Sequence, residues 1–265
     1  MEDKIVEINP YSQTSYCVEI FFNETLLSTG TCFFIERENK TFLVTNWHIV
    51  TGRNADTKEV IDTKYAAIPN KLRVYVPRDN GDGTAQYEDN SYIYIDLYDE
   101  NDEPLWYEKS INDRMVDVAL LPIENPDFCY MAIDAAEEPF NENVKIEITS
   151  EIYIIGFPFA KQTGYVPIWK KGSVASEPLI DMEGLPYFYA DTATKEGMSG
   201  SPVVFYKDRP ATIVNEQQKK ISRHWTKFVG IYSGRIGANS DTRNDAQLGR
   251  IWKVSVIDDI LSDHM

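Results

Sequence analysis

The sequence has few residues that could reinforce a fold by covalent or metal bonds. Its 265 residues include only 3 cysteines and 3 histidines. The cysteines are Cys17, Cys32 and Cys129. They are too scattered for a disulfide framework, and none has a second cysteine at zinc-ligand spacing. We therefore expect a reducing compartment, no metal and no other cofactor, and any chemistry that needs a histidine has three candidates.

Positive charge is also scarce. The chain has 26 Lys and Arg residues against 42 Asp and Glu residues, a formal net charge of −16. This balance argues against nucleic acid and against an anionic membrane as primary partners. No apolar run is long enough to span a bilayer, and the first residues lack the basic start and apolar stretch of a secretory signal. These absences predict a cytoplasmic protein.

The residues that are abundant indicate β-structure. Short apolar or alternating runs rich in Val, Ile, Tyr and Phe recur between clusters of Gly, Pro, Asn and Asp. Only residues 254–261 have helical spacing. The pattern predicts an all-β barrel or sandwich that ends in an α-helix. Strands are expected at residues 15–22, 31–35, 41–45, 72–76, 92–97, 116–121, 144–148, 151–155, 202–205 and 228–233.

Two polar segments divide this pattern. Residues 134–139 form a polar stretch between two β-rich parts, so we predict one domain over residues 1–135 and another over residues 136–265. Residues 79–83 are an acidic turn before the alternating run at 92–97, which favours a hairpin. A calcium loop is disfavoured there because Gly81 stands where the third-position ligand belongs.

Three local patterns occur in the order histidine, aspartate, serine. His48 follows an apolar run, Asp117 opens a Val-Ala-Leu-Leu run, and Ser199 lies in Gly-Met-Ser-Gly. Taken singly, they are explained as a packed histidine, a strand cap and a tight turn. Together they supply what acyl transfer needs: a nucleophile, a base, and a carboxylate that orients the base. His224 and His264 lie in a polar stretch and beside the C-terminus, and neither competes well as the base.

The combination resembles the trypsin-like serine peptidases, and within them the bacterial Deg-type branch, over about residues 17–261. The motifs that carry the resemblance are the glycine-led strand at 30–35, Thr-x-x-His at 45–48, Gly-x-Pro at 156–158, the run into the nucleophile at 191–200 and the strand at 228–234. The resemblance implies two six-stranded antiparallel β-barrels. His48 and Asp117 would belong to the first barrel and Ser199 to the second, with the site in the cleft between them.

The resemblance also implies roles in a serine endopeptidase acting on a protein or peptide. Ser199 would attack the scissile carbonyl, His48 would act as base and then acid, and Asp117 would stabilise the imidazolium. The oxyanion hole would consist of the backbone N–H groups of Gly197 and Ser199. The residues implied in substrate binding are Ala193, at the base of the primary pocket, and Thr194, Tyr232, Ser233 and Gly234.

Specificity is inferred from Ala193. It carries no carboxylate, so we expect cleavage after small or apolar residues rather than after Arg or Lys. Asp191 is two residues away, and a shifted alignment would restore basic specificity.

Three departures from the family pattern stand out. Met198 occupies the position where zymogen-type relatives carry an activating aspartate, and Ser201 replaces a glycine after the nucleophile. Cys32 replaces another glycine and brings a thiol near His48, where a packed thiol is favoured over a catalytic one.

Other functional classes remain as alternatives. An α/β-hydrolase needs its acid and histidine after the serine, which this chain does not offer convincingly. An inactive or latent peptidase-like domain would bind extended peptides by strand addition. A latent enzyme would order its oxyanion loop when a regulatory protein partner binds.

Overall fold

The computed structural model describes residues 7–63, 66–82, 84–124, 126, 128–137, 144–160, 165–208, 224–235 and 248–264. Within these ranges the chain folds into two antiparallel β-sheet units joined by a common apolar core. Short helices lie at the edges of both units.

Runs of β-branched and aromatic residues form the first unit, where long consecutive runs of side chains are buried. In chain order, its strands and two small hairpins are β1 (Ser15–Phe22), β2 (Thr25–Arg37), β3 (Lys40–Thr45), β4 (Lys71–Tyr75), β5 (Arg78–Asp79), β6 (Ala85–Gln86), β7 (Tyr92–Asp96), β8 (Ser110–Ile111), β9 (Arg114–Met115) and β10 (Ala119–Ile123). The main sheet has the order β10-β3-β2-β1-β4-β7, while β5 pairs with β6 and β8 with β9. This curved sheet is a half-barrel.

The second unit is a closed barrel. Its strands are β11 (Glu151–Gly156), β12 (Ile168–Val174), β13 (Tyr187–Asp191), β14 (Pro202–Asp208), β15 (His224–Arg235) and β16 (Leu248–Lys253). They close in the order β11-β12-β13-β16-β15-β14. The pairing of β15 with β16 shifts register between Tyr232 and Arg235, at the end of β15 that approaches the first unit.

The helices are a 3-10 turn at Pro10–Gln13, α1 (Trp47–Thr51), α2 (Ile133–Ala136) and α3 (Ser255–His264). The apolar face of α3 joins a buried cluster that also contains Phe33 of β2 and Trp252 of β16. The two units therefore share one core. Every helix in the described ranges is too short or too polar to cross a membrane.

The predicted all-β architecture of two six-stranded antiparallel units with a C-terminal helix is confirmed; one unit is a closed barrel and the other is a half-barrel. The strand predicted at residues 144–148 is wrong. Residues 144–147 belong to no described strand, and a turn follows at residues 147–150, where the backbone N–H of Ser150 donates to the carbonyl of Glu147 and Thr149 has a φ of 72°. The alternation instead reflects Val144 and Ile146 packing on the barrel. The domain boundary after residue 135 falls inside α2 and stays a prediction.

Candidate active site

His48 lies in the short helix α1, directly after β3. Its ring Nδ1 is 2.8 Å from Oδ2 of Asp117, and its backbone N–H donates to Oδ1 of the same carboxylate at 2.8 Å. The side chain of Asp117 is 4% exposed and that of His48 is 21% exposed. A buried carboxylate thus holds a histidine ring that still reaches the surface.

Strand pairing explains why residues 69 positions apart meet. β3 pairs with β10 so that Thr45 lies opposite Ala119, which brings the ends of both strands together. Two further contacts fix Asp117. The side-chain amide of Asn46 donates to its backbone carbonyl at 2.8 Å, and the hydroxyl of Ser233 donates to Oδ2. Ser233 belongs to β15, so both units contribute to this arrangement.

The charges of His48 and Asp117 are mutually dependent. Burial alone would raise the pKa of Asp117, but the His48 charge and hydrogen bonds from His48 and Ser233 lower it below its ordinary value. Burial alone would lower the pKa of His48, but the Asp117 charge and hydrogen bond raise it above its ordinary value. When His48 is neutral, Nδ1–H donates to Asp117 and Nε2 keeps the free lone pair.

Ser199 lies in a tight loop between β13 and β14, flanked by two glycines with positive φ. Gly197 has a φ of 88°, and a Cβ on it would lie 2.2 Å from the carbonyl oxygen of Phe157. Gly200 has a φ of 84°, and a Cβ there would lie 2.1 Å from the carbonyl oxygen of Thr31. Both positions need glycine, for the backbone conformation and for close approach.

The backbone N–H groups of this loop differ in whether they have a hydrogen-bond acceptor. Among the described residues, no acceptor bonds the backbone N–H of Gly197 or of Ser199. By contrast, the N–H of Met198 donates to Lys195 at 3.3 Å, and that of Gly200 donates to Tyr232 at 3.0 Å. Alternate amides of the loop are thus available to an anionic oxygen, and one of them belongs to Ser199 itself.

The surroundings of two glycines show that the serine loop lies close to the histidine–aspartate pair. The hydroxyl of Ser199 lies 4.0 Å from where a Cβ of Gly234 would sit, and Gly234 follows the Ser233 that bonds Asp117. A Cβ on Gly30 would lie 3.4 Å from the carbonyl oxygen of Ser199 and 2.6 Å from Cδ1 of Ile49, the neighbour of His48. Ser199 therefore lies beside the pair.

The described residues contain no hydrogen bond between Ser199 and His48. Such bonds are often long in free enzymes and shorten when substrate binds. The structure thus brings the three predicted residues to one place. Their catalytic roles stay predictions.

The predicted substrate-binding residues occupy different environments. Ala193 is exposed. Thr194 and Tyr232 are buried, and their hydroxyls bond each other. The Tyr232 ring also packs on β16, because a Cβ on Gly249 would lie 2.6 Å from its Cε2. Gly234, with a φ of 110°, adjoins Ser199.

Several residues contact this site in ways that the sequence motifs do not predict. Asn46 lies inside the Thr-x-x-His motif and Thr31 inside the glycine-led strand, but only strand register reveals their contacts. Cys32 is fully buried, and burial raises the pKa of its thiol well above the ordinary value, so the thiol stays neutral. In the described part of the chain, no three His, Cys, Asp or Glu side chains cluster as metal ligands would.

Comparison with known proteins identifies the family. Residues 30–209 match the sequence family described as a trypsin-like peptidase domain. No curated protein matches the sequence.

Two solved structures have a similar fold. A serine endoprotease from Yersinia pestis has 12% sequence identity and a TM-score of 0.50, over 98% of this chain and 67% of that chain. Rv3671c from M. tuberculosis H37Rv, determined as an inactive serine-to-alanine mutant, has 14% identity and a TM-score of 0.49, over 96% and 90% of the two chains. At 12% identity, the likeness to the first of these structures concerns the fold alone.

Proposed function

The chain belongs to the trypsin-like peptidase domain family, and from this premise we propose that it is a serine endopeptidase that forms an acyl-enzyme intermediate. One observation carries the proposal. The buried Asp117 orients His48 beside a serine whose own N–H and that of Gly197 are both open. A nucleophile, a base and an oxyanion site then stand together, as acyl transfer requires.

In the first step, Ser199 Oγ attacks the substrate carbonyl and its proton moves to Nε2 of His48. The bond between Nδ1 and Asp117 holds the ring in the tautomer that leaves Nε2 basic. Asp117 stays ionised and stabilises the imidazolium. The carbonyl oxygen becomes an oxyanion and accepts from the N–H groups of Gly197 and Ser199, each worth about 3 kcal/mol.

In the second step, His48 donates its proton to the amine as the peptide C–N bond breaks. The amine leaves and the acyl group stays on Ser199. Water then attacks the ester, His48 takes the water proton, and the same N–H groups bind the second oxyanion. His48 finally returns a proton to Ser199 Oγ, so the enzyme is regenerated.

The end of β15 gives the substrate a place to bind. Ser233 and Gly234 fall in the register shift, outside the described pairing of β15 with β16. Their backbone can therefore pair with an extended peptide, as an added strand beside Ser199. This favours proteins or extended peptides as substrates.

The test is reaction with a fluorophosphonate probe, followed by mapping of the adduct. We expect labelling at Ser199 that is lost in Ser199→Ala and in His48→Ala, and a fall in peptide turnover of about 10⁶ in Ser199→Ala. The matched control is Ser201→Ala, which removes a buried neighbouring hydroxyl and should label normally. A wild-type protein that neither labels nor cleaves peptides would falsify the proposal.

The assay uses the purified protein alone. The open N–H groups of Gly197 and Ser199 support an oxyanion site formed without a regulatory partner. Turnover that appears only after another protein is added would instead make the enzyme a latent one.

We further propose that cleavage follows small residues such as Ala or Gly. Tyr232 supports this preference, because its ring fills the space between Thr194 and Gly249 beside the serine loop. A large side chain on the substrate would have to displace a buried ring.

Substitution of this tyrosine tests the preference. Tyr232→Val should raise kcat/KM for substrates with Leu or Phe at the cleaved residue by roughly 10–100-fold relative to Ala, since a few buried methylenes discriminate to that extent. Tyr232→Phe loses the bond to Thr194 but keeps the ring, and should retain the preference for small residues. Peptide-library profiling measures both. A wild-type preference for Arg or Lys contradicts the assignment.

A further inference from the structure

Thr31 connects the first sheet to the serine loop through its hydroxyl and its backbone N–H. It lies in β2, is fully buried, and is distant in sequence from Ser199. Its hydroxyl donates to the carbonyl of Gly197 at 2.8 Å, and its backbone N–H donates to the carbonyl of Ser199 at 2.8 Å. Its own carbonyl accepts from the hydroxyl of Thr45 at 2.9 Å.

The hydroxyl of Thr31 has a fixed direction. A threonine hydroxyl has one proton, and here it is directed at Gly197 because the N–H of Phe157 approaches the oxygen as a donor at 3.1 Å. The oxygen thus joins β2, the loop after β11 and the serine loop. Rotating this hydroxyl away would leave buried groups unpaired, which is unfavourable.

The two carbonyls held by Thr31 flank an oxyanion donor. The Ser199 N–H belongs to the peptide unit that lies between the carbonyl of Gly197 and the carbonyl of Ser199. Anchoring both carbonyls restricts rotation of the intervening backbone. Gly197 also lies against the Phe157 carbonyl, with no room for a side chain, which limits movement on the other side.

We infer that Thr31 is a positioning residue that keeps the N–H groups of Gly197 and Ser199 directed at the oxyanion. The inference rests on the proposed peptidase function and assigns a task to a residue that touches neither substrate nor the reacting atoms. Its effect should appear in the transition state, where the oxyanion exists, and not in substrate binding.

Thr31→Val tests the inference, because valine keeps the shape and removes the hydroxyl. We expect kcat to fall roughly 10–100-fold with KM nearly unchanged, since a small misplacement of catalytic groups costs about that much. Thr31→Ser should restore most of kcat by returning the hydroxyl. Thr41→Val is the matched control: it removes a buried hydroxyl that bonds Tyr130, away from the serine loop, and should leave kcat unchanged.

A second readout separates positioning from folding. A peptide aldehyde forms a hemiacetal with Ser199 whose oxygen takes the oxyanion position, so its affinity should fall in Thr31→Val by the same factor as kcat/KM. The product peptide with the new amino terminus, which carries no oxygen from the cleaved carbonyl, should bind equally well. If Thr31→Val does not fold, the same measurements are made on Thr31→Ala, which also lacks the hydroxyl and places a smaller side chain at this buried position.

The outcomes are distinct. Equal kcat and equal aldehyde affinity in folded Thr31→Val, with an active wild type, overturn the inference and leave the peptidase function intact. If Thr31→Val loses affinity for the aldehyde and for the product peptide by the same factor, the inference is also overturned, because the substitution then weakens ligand binding in general. An inert, unlabelled wild type overturns the proposed function and the inference together.

Discussion

A single buried carboxylate, Asp117, accepts three hydrogen bonds from two other residues. A buried ion without partners costs several kcal/mol, and these donors offset that cost. The donors from His48 and Ser233 also fix the tautomer of the ring and the orientation of the carboxylate. The ring bond selects the tautomer of His48, while the Ser233 hydroxyl keeps the carboxylate from turning away from the ring.

The pH dependence follows from this pair. His48 must be neutral to act as a base, and Asp117 raises the pKa of His48 above its ordinary value. We therefore expect kcat/KM to rise with pH, with a midpoint above about 6.5, the pKa of an unperturbed histidine. Asp117→Asn removes the charge and should lower that midpoint, while kcat falls by about 10⁴ because the wrong tautomer is favoured.

A pH–rate profile of the free enzyme measures the midpoint, and an NMR titration of the His48 ring assigns it. Ser233→Ala is an informative control, because it keeps the Asp117 charge and should leave the midpoint above 6.5. An unchanged midpoint in Asp117→Asn would contradict the coupling.

Sequence motifs identified the site residues that lie in a recognisable local sequence pattern. The glycines at 197 and 200 and the Thr-x-x-His turn are local signals, and they indicated where Ser199 and His48 lie. Ser233 was expected to bind substrate, and its bond to Asp117 went unpredicted because it depends on where β15 ends in space. Thr31 lies in the glycine-led strand, but that motif does not predict its contacts, because its partner Gly197 is 166 positions away.

Among the elements, most strands of the two sheets were predictable and the short helix α1 was not. Alternation and β-branched residues indicate strands over five or more residues. The helix α1 has five residues, too few for a helical period. Distant contacts stabilise it instead, such as the bond from the Trp47 indole to Glu108 at 2.7 Å. Gly52 then ends it in the left-handed region, with a φ of 64°.

Because local sequence patterns do not report strand pairing, a strand was wrongly expected at residues 144–148. Apolar alternation reports which side chains are buried, but a loop packed on a barrel produces the same pattern as a strand. The positive φ of Thr149 in the turn that follows has no residue-type signal, since threonine disfavours that conformation. The bulge at Ser233 and Gly234 is likewise a property of strand pairing.

At the scale of the whole molecule, the two units share a core that α3 completes. Ile260 of α3 is fully buried in the cluster that includes residues of both sheets. Ile260→Ala should lower the free energy of unfolding by about 2–5 kcal/mol, because it leaves a cavity in that core.

Chemical denaturation followed by tryptophan fluorescence measures this loss. Leu179→Ala is the control: this side chain is 92% exposed, and its removal should change the free energy by less than about 0.5 kcal/mol. Equal stability of the two variants would show that α3 does not contribute to the shared core.

The contact between Asp117 and Ser233 also sets an order of events during synthesis of the chain. The two residues are 116 positions apart, so at 5–20 residues per second the ribosome adds Ser233 roughly 6–23 seconds after Asp117. Throughout that interval the growing chain holds the histidine and the carboxylate but lacks the strand that supports them. Under the proposed function, a nascent chain therefore gains a complete site only after its second barrel has been made.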